Sequence, residues 1–194
     1  MTTLNVQISA GNDDADDTGS VDSGGNNINM DASTSGNDEQ GGFVWDSVTV
    51  PNGATINSAT WEPYVRLAGN DPGADIYGED VDDADDFVTT ADINGRTKTS
   101  ASVEWDAENV VASDGFVESP DIASIISEIT SRGGWSSGNS LCLVVIGKTS
   151  LNRGFLARSY DNDAAQGAKL NIDYTAAASG GLWAGSLGLM GVGI

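Results

Sequence analysis

The sequence predicts a mainly β protein, a jelly-roll β-sandwich with one packed α-helix. Short apolar segments of strand periodicity alternate with turn residues along most of the chain, and only one segment has helical periodicity. Eight or more short strands with a single helix are typical of a two-sheet fold. The 194 residues are enough for one sizeable core. We therefore expect a jelly-roll domain over residues 1–175 and an extended, apolar C-terminal tail over residues 176–194.

The strand predictions depend on the alternation of apolar and polar side chains. Leu4, Val6 and Ile8 alternate with polar residues in the first strand. Pro63 interrupts the ladder of a later strand, which indicates a bulge or an edge position. The Asp- and Gly-rich stretch 10–42 predicts a loop or very short strands. The other strands are predicted over residues 43–50, 56–67, 75–77, 87–89, 101–105, 141–146, 155–160 and 170–174.

The helix is predicted over residues 120–132. Ser119 is a candidate N-cap, Pro120 suits the first helical position, and Asp121 complements the helix dipole. Gly133 is a natural residue to follow the last turn. One apolar stripe at i, i+3, i+4 and i+7 consists of Ile122, Ile125, Ile126 and Ile129. This stripe predicts that the helix packs on the sheet and has a structural role.

The composition excludes several classes of function. The chain has no histidine, so Ser/His/Asp and Cys/His catalysis are impossible. Cys142 is the single cysteine, which excludes an intramolecular disulfide and a Cys/His zinc site. The 29 acidic and 8 basic residues give a net charge of −21, which argues against nucleic acid as a partner. No pair of carboxylates stands out as a glycosidase acid and base. We therefore expect a protein that is not an enzyme.

Two acidic runs are candidate metal sites. Carboxylates packed this densely repel one another unless they are solvated, protonated or neutralised by a cation. Oxygen ligands without nitrogen or sulfur suit Ca²⁺, which takes six to eight of them. Neither run has the EF-hand spacing, and a solvated acidic loop is the alternative. The candidate calcium ligands are Asp13, Asp14, Asp16 and Asp17 in the first run and Asp80, Asp82, Asp83, Asp85 and Asp86 in the second.

Aromatic residues on the predicted strands are candidates for stacking on a sugar. Trp45 and Tyr64 are the two that we single out for such a glycan-binding face. The alternative is that they pack in the core, which is the more common role of a tryptophan on a strand.

The tail is uncharged and contains six glycines in residues 176–194. A membrane span needs about 20 predominantly apolar residues, so this glycine-rich stretch predicts none. Apolar residues alternate with glycine near its end, which indicates a strand on an exposed sheet edge or a peptide in a neighbour's groove. A disordered tail is the alternative. The residues predicted to dock on another subunit are Leu182, Trp183, Leu187, Leu189, Met190, Val192 and Ile194.

Five segments resemble a known family of domains. The most specific are PDIASIISEITSRGGWSSGNSLCLVVIG (120–147) and RSYDNDAAQGAKLNIDY (158–174); the others cover residues 48–65, 78–87 and 96–105. Together they are similar to DNRLRE-type, carbohydrate-binding-module-like jelly rolls of bacterial extracellular and phage structural proteins. The resemblance implies a non-catalytic fold that binds glycans or serves as a stalk or surface module.

The first eight residues lack the basic and apolar regions of a secretory signal peptide, although the composition is typical of extracellular proteins. A virion protein, export without an N-terminal signal, and prior removal of a signal would each explain this combination. We expect a non-catalytic phage structural protein at the virion surface, such as a capsid decoration, head-fibre or tail surface protein. It would join other virion subunits through its tail, as a homo-oligomer.

Two alternatives remain open. One is an extracellular, calcium-supported carbohydrate-binding module with a surface glycan as its partner. The other is a self-assembling subunit of an extracellular filament or surface layer.

Overall fold

The computed structural model describes residues 1–17, 21–22, 25–30, 39–68, 73–87, 93–106, 114–148 and 155–177. Within these ranges it has thirteen strands and one α-helix, so the predicted mainly β fold is confirmed. The strands are β1 (Thr2–Gln7), β2 (Asp14–Asp17), β3 (Val21–Asp22), β4 (Asn27–Met30), β5 (Gln40–Trp45), β6 (Thr55–Glu62), β7 (Tyr64–Ala68), β8 (Gly73–Glu79), β9 (Lys98–Asp106), β10 (Gly115–Phe116), β11 (Leu141–Gly147), β12 (Phe155–Arg158) and β13 (Lys169–Thr175); the helix is α1 (Ala123–Thr130).

The strands form three antiparallel sheets in two layers. The six-stranded sheet has the order β3-β2-β5-β11-β8-β9, the four-stranded sheet β10-β7-β12-β4, and the three-stranded sheet β1-β13-β6. The two smaller sheets adjoin where β6 runs through Pro63 into β7. Their inward side chains pack on the six-stranded sheet; the rings of Trp61 and Phe43, for example, are 5.0 Å apart. This is the packing of a β-sandwich, and the jelly-roll connectivity stays a prediction.

Pro63 lies at the junction of two strands rather than at a bulge within one. Because proline has no N–H to donate, no ladder hydrogen bond is lost at the point where the chain leaves the three-stranded sheet and enters the four-stranded sheet. Its carbonyl accepts a hydrogen bond from the Val117 backbone N–H at 3.1 Å.

The strand that was predicted over residues 43–50 ends at Trp45. Ser47 has a φ of 55°, which interrupts an extended ladder. The backbone of Val48 instead exchanges hydrogen bonds with the loop that follows α1, at Gly138 and Asn139.

Phe87 lies in no strand, and the rest of the strand predicted over residues 87–89 falls outside the described residues. In its described part, the stretch 10–42 contains the 3-10 turn Gly11–Asp13, the short strands β2, β3 and β4 and the beginning of β5.

The helix begins at Ala123, later than predicted, because Ser119 does not cap it. The Ser119 hydroxyl accepts from the Trp61 backbone N–H at 3.0 Å and donates to the Pro120 carbonyl. Asp121 instead accepts from the Ala123 N–H at 3.0 Å. The predicted apolar stripe is confirmed, since all four of its isoleucines are buried in the core. The helix therefore packs on the sheets as expected. In the described part of the chain, no helix has the length and apolar character that crossing a membrane requires.

A second, smaller core lies on the other face of the six-stranded sheet. Val44, Cys142 and Val144 point away from the sandwich interior and are covered by Phe87 and Ile93. The segment 80–87, which carries the second acidic run, thus lies against the same sheet that contains the first run in β2.

Candidate functional site

The outer face of the three-stranded sheet is polar. Side chains alternate along a strand, so Ala59 and Trp61 of β6 are buried while Ser58, Thr60 and Glu62 lie on the opposite face. On β13 the outward row includes Asn171 and Asp173, next to Thr3 of β1. This face forms the floor of an open groove of about 450 Å³.

One wall of the groove is the segment that precedes α1. Its backbone bonds to the edge of β6: the Ser119 N–H donates to the Trp61 carbonyl at 2.9 Å, and the Ile122 N–H donates to the Ala59 carbonyl at 2.8 Å. Glu118 and Asp121 of this segment line the groove. The wall is therefore fixed by main-chain hydrogen bonds rather than by side-chain packing alone.

The groove is strongly acidic. Four of its lining residues carry a carboxylate, namely Glu62, Glu118, Asp121 and Asp173. Among the described residues that line it, none is a lysine or an arginine. Asn171 donates its amide to the Glu62 carboxylate at 2.7 Å, and the Thr3 hydroxyl donates to Asp173. The groove thus presents many oxygen acceptors and a few fixed amide and hydroxyl groups.

An aromatic pair lies at one end of this face. Tyr64 follows Glu62 in the same outward row, and Phe116 of β10 is its partner in the strand register. The two rings meet edge to face, with centroids 5.1 Å apart and planes at 84°. Both side chains are half-buried, and the Lys169 ammonium lies 3.5 Å from the centroid of the Phe116 ring. A half-buried aromatic pair therefore lies beside the polar groove.

The prediction that Trp45 stacks on a sugar is wrong. Its side chain is fully buried, and its indole N–H donates to the Ala168 carbonyl at 3.1 Å. A ring enclosed by the core has no face to offer to a ligand. Tyr64, the other residue predicted for stacking, is placed beside the groove. The sequence did not single out Phe116, because the residues on either side of it show no alternation of apolar and polar side chains. Nothing there predicts that this ring pairs with Tyr64.

Most of the second acidic run is held by protein groups rather than gathered at one point. Arg132 forms ion pairs with Asp80 and with Asp82, the latter at 2.8 Å. Asp83 accepts a hydrogen bond from the Ser140 backbone N–H at 2.7 Å, and Asp85 is exposed. These four predicted ligands do not converge on a shared cation position.

The carboxylates of the first acidic run likewise bond to separate protein groups. Asp16 accepts from the Asn29 backbone N–H at 2.8 Å, and Asp17 accepts from the Asn94 amide. Asp14 is fully buried and accepts from the Tyr160 N–H at 2.8 Å. Burial, which the nearby negative charges reinforce, raises the pKa of the Asp14 carboxyl to about 7.

One residue from each run meets a third aspartate. Carboxylate oxygens of Asp13, Asp46 and Asp86 lie within 4.8 Å of one another. Asp46 follows β5 and stands alone in the sequence, so the density of acidic residues gave no reason to select it. We call these three residues the aspartate triad.

The residues predicted to dock on another subunit lie outside the described part of the chain. Leu182, Trp183, Leu187, Leu189, Met190, Val192 and Ile194 all belong to the stretch that follows residue 177. Subunit docking through the tail stays a prediction.

No protein-family model matches the chain, and no curated protein matches it in sequence. The resemblance to DNRLRE-type jelly rolls therefore also stays a prediction.

Proposed function

We propose that this protein is a non-catalytic module that binds neutral carbohydrate in the groove on the outer face of the three-stranded sheet. The observation that carries the proposal is the half-buried pair of Tyr64 and Phe116 beside a groove lined by carboxylates. Ligand sites in proteins typically combine apolar or aromatic surface with a few fixed polar groups, and this face has both.

The chemistry of the groove favours a polyhydroxylated ligand. A sugar has apolar C–H faces that pack on aromatic rings and hydroxyl groups that donate hydrogen bonds. Carboxylates such as Glu62 and Glu118 accept such bonds, and a charged acceptor gives the stronger ones. The sugar hydroxyls would also receive bonds from the Asn171 amide.

The charge of the groove selects among carbohydrates. Uronic acids and sulfated sugars would bring negative charge next to four carboxylates, in a chain whose net charge is −21. Neutral glycans carry no such penalty. The ligand class is therefore a neutral polysaccharide rather than an acidic one.

The shape of the face favours an extended ligand. The outward row of β6 and β7 runs from Ser58 through Thr60 and Glu62 to Tyr64, which at about 3.3 Å per residue is roughly 20 Å long. A row of that length suits an oligosaccharide chain better than a single sugar. Such ligands are met outside the cell or at a virion surface, which are the two locations expected from the sequence.

The test is gel electrophoresis of the full chain through soluble neutral polysaccharides: a β-glucan, a xylan, a mannan and starch. We expect at least one of them to retard the protein, whereas polygalacturonate and alginate do not. Tyr64→Ala should weaken binding about tenfold, the equivalent of 1.4 kcal/mol. Tyr77→Ala is the matched control, because Tyr77 is a half-buried strand tyrosine of the six-stranded sheet. Free migration in all four neutral gels would overturn the proposal.

The same complex tests the non-catalytic part of the proposal. After prolonged incubation, the retarding polysaccharide should show no new reducing ends. Release of reducing ends that Glu62→Gln or Glu118→Gln abolishes would make the protein a hydrolase instead.

A further inference from the structure

We propose that the aspartate triad of Asp13, Asp46 and Asp86 is a Ca²⁺ site that ties three distant segments of the chain together. Asp13 ends the 3-10 turn Gly11–Asp13, Asp46 follows β5, and Asp86 belongs to the segment that covers the outer face of the six-stranded sheet. None of the three residues lines the carbohydrate groove, so each site can be tested independently of the other.

The first observation is the distance between the carboxylates. Calcium–oxygen bonds are about 2.3–2.6 Å long, so two oxygens on one ion are at most about 5 Å apart. The oxygens of the triad lie within 4.8 Å of one another. One ion placed among them would thus reach all three without a rearrangement of the backbone.

The second observation is a buried oxygen that has no donor. Asp13 is 1 % exposed, and its Oδ2 accepts from the backbone N–H groups of Ser9 at 3.0 Å and Ala10 at 2.8 Å. Its Oδ1 is buried and has no hydrogen-bond partner among the described residues. A buried acceptor without a partner is costly, and a cation would remove that cost.

The third observation is the balance of charge around the triad. Carboxylates this close together repel one another, and the repulsion is poorly screened at Asp13, which is buried. The Arg96 guanidinium pairs instead with Glu79 and donates to the Asp85 carbonyl at 2.7 Å. The three carboxylates therefore repel one another unless a further positive charge lies between them.

The ligand chemistry selects calcium. The triad offers oxygen only, and Ca²⁺ takes six to eight oxygens in flexible geometry. Asp46 is exposed and Asp86 is half-buried, so water can supply the remaining ligands. Mg²⁺ requires a smaller, nearly octahedral shell at 2.0–2.1 Å, which suits this spread of carboxylates less well.

The test is thermal unfolding of the full chain, prepared in EGTA and then given CaCl₂, MgCl₂ or NaCl at matched ionic strength. We expect Ca²⁺ at about 100 times its Kd to raise the Tm by roughly 5–10 °C, and the other two salts to change it much less. Isothermal titration with CaCl₂ should give one site per chain.

Asp46→Asn is the variant of choice, because Asp46 is exposed and an asparagine can still accept the hydrogen bond from the Ser140 hydroxyl. We expect it to lose the Ca²⁺-dependent shift and to melt at or above the wild-type Tm in EGTA, since the repulsion is reduced. Asp86→Asn should behave alike. The control Asp85→Asn makes the same change of charge one residue away and should keep the full shift.

The proposal is overturned if Ca²⁺ does not shift the wild-type Tm beyond the NaCl effect. It is equally overturned if Asp46→Asn and Asp86→Asn both keep the shift, because calcium would then bind elsewhere.

Discussion

The backbone N–H of Phe87 donates a hydrogen bond to the carbonyl oxygen of Asn12 at 2.8 Å. Asp86 precedes the donor and Asp13 follows the acceptor, so this main-chain bond brings the two acidic runs side by side. The Phe87 ring is fully buried against Gly42 of β5. The Phe87 side chain thus anchors the segment that presents the Asp86 carboxylate to Asp13.

A methyl group at Gly42 should disturb this anchor. A Cβ at Gly42 would overlap Cζ of the Phe87 ring, so the ring or the strand would have to move. We expect Gly42→Ala to lower the free energy of unfolding by about 1–3 kcal/mol, as overpacking does in cores. Urea denaturation measures this change, and calcium titration of the same variant should show weaker binding.

Gly133→Ala is the matched control for that variant. A Cβ at Gly133 meets no atom within 4 Å, so the same chemical change there should alter stability little. Equal losses of stability in the two variants would contradict the role that we assign to the Phe87–Gly42 contact.

The stability of the protein should depend on pH through Asp14. Its pKa is about 7 in the folded chain against an ordinary value of 3.8, chiefly because the carboxyl is buried. The folded state therefore holds this proton more tightly than the unfolded state. The contribution of Asp14 to the free energy of unfolding should fall as the pH rises from about 4 to about 7, and level off above that.

Urea denaturation in EGTA at pH 5 and pH 8 measures this effect. Asp14→Asn cannot ionise and can still accept from the Tyr160 N–H, so its loss of stability between the two pH values should be smaller than that of the wild type. Parallel pH profiles for the two proteins would show that Asp14 is not the group responsible.

Removal of the tail should abolish association between chains and leave folding unchanged. A chain that ends at Ala177 keeps β13 and its pairing with β1 and β6, so we expect an unchanged circular dichroism spectrum and Tm. If the tail docks on another subunit, the full chain should form oligomers in sedimentation experiments and the truncated chain should not. The full-length variant Trp183→Ala should show a partial loss, whereas identical sedimentation of all three proteins would contradict docking through the tail.

The local patterns in the sequence predicted the fold well because they report on burial. The four isoleucines of the helical stripe are in the core, and the apolar run that became β11 is a buried central strand. The N-cap prediction failed for a reason that no local pattern contains. The Ser119 hydroxyl is bonded to Trp61, a residue 58 positions earlier in the chain.

The candidate sites were only partly predictable for the same physical reason. Asp13 and Asp86 were selected because acidic residues are dense around them, yet most of their neighbours bond to arginine or to amide groups. Asp46 completes the triad only because β5 ends where those two segments meet. The groove is lined by ordinary polar residues, and Tyr64 was the one residue beside it that the sequence singled out for ligand binding.

The segment that walls the groove is also the approach to the helix. Its main chain is hydrogen-bonded to β6 and to Pro63, and it continues directly into α1. A sugar bound to Glu118 and Asp121 would restrain this segment and reduce its fraying. Because the segment continues into the helix, detachment of α1 from the sheets would become rarer as well. Amide hydrogen exchange in α1 should therefore slow when the groove is filled, although the ligand never touches the helix core.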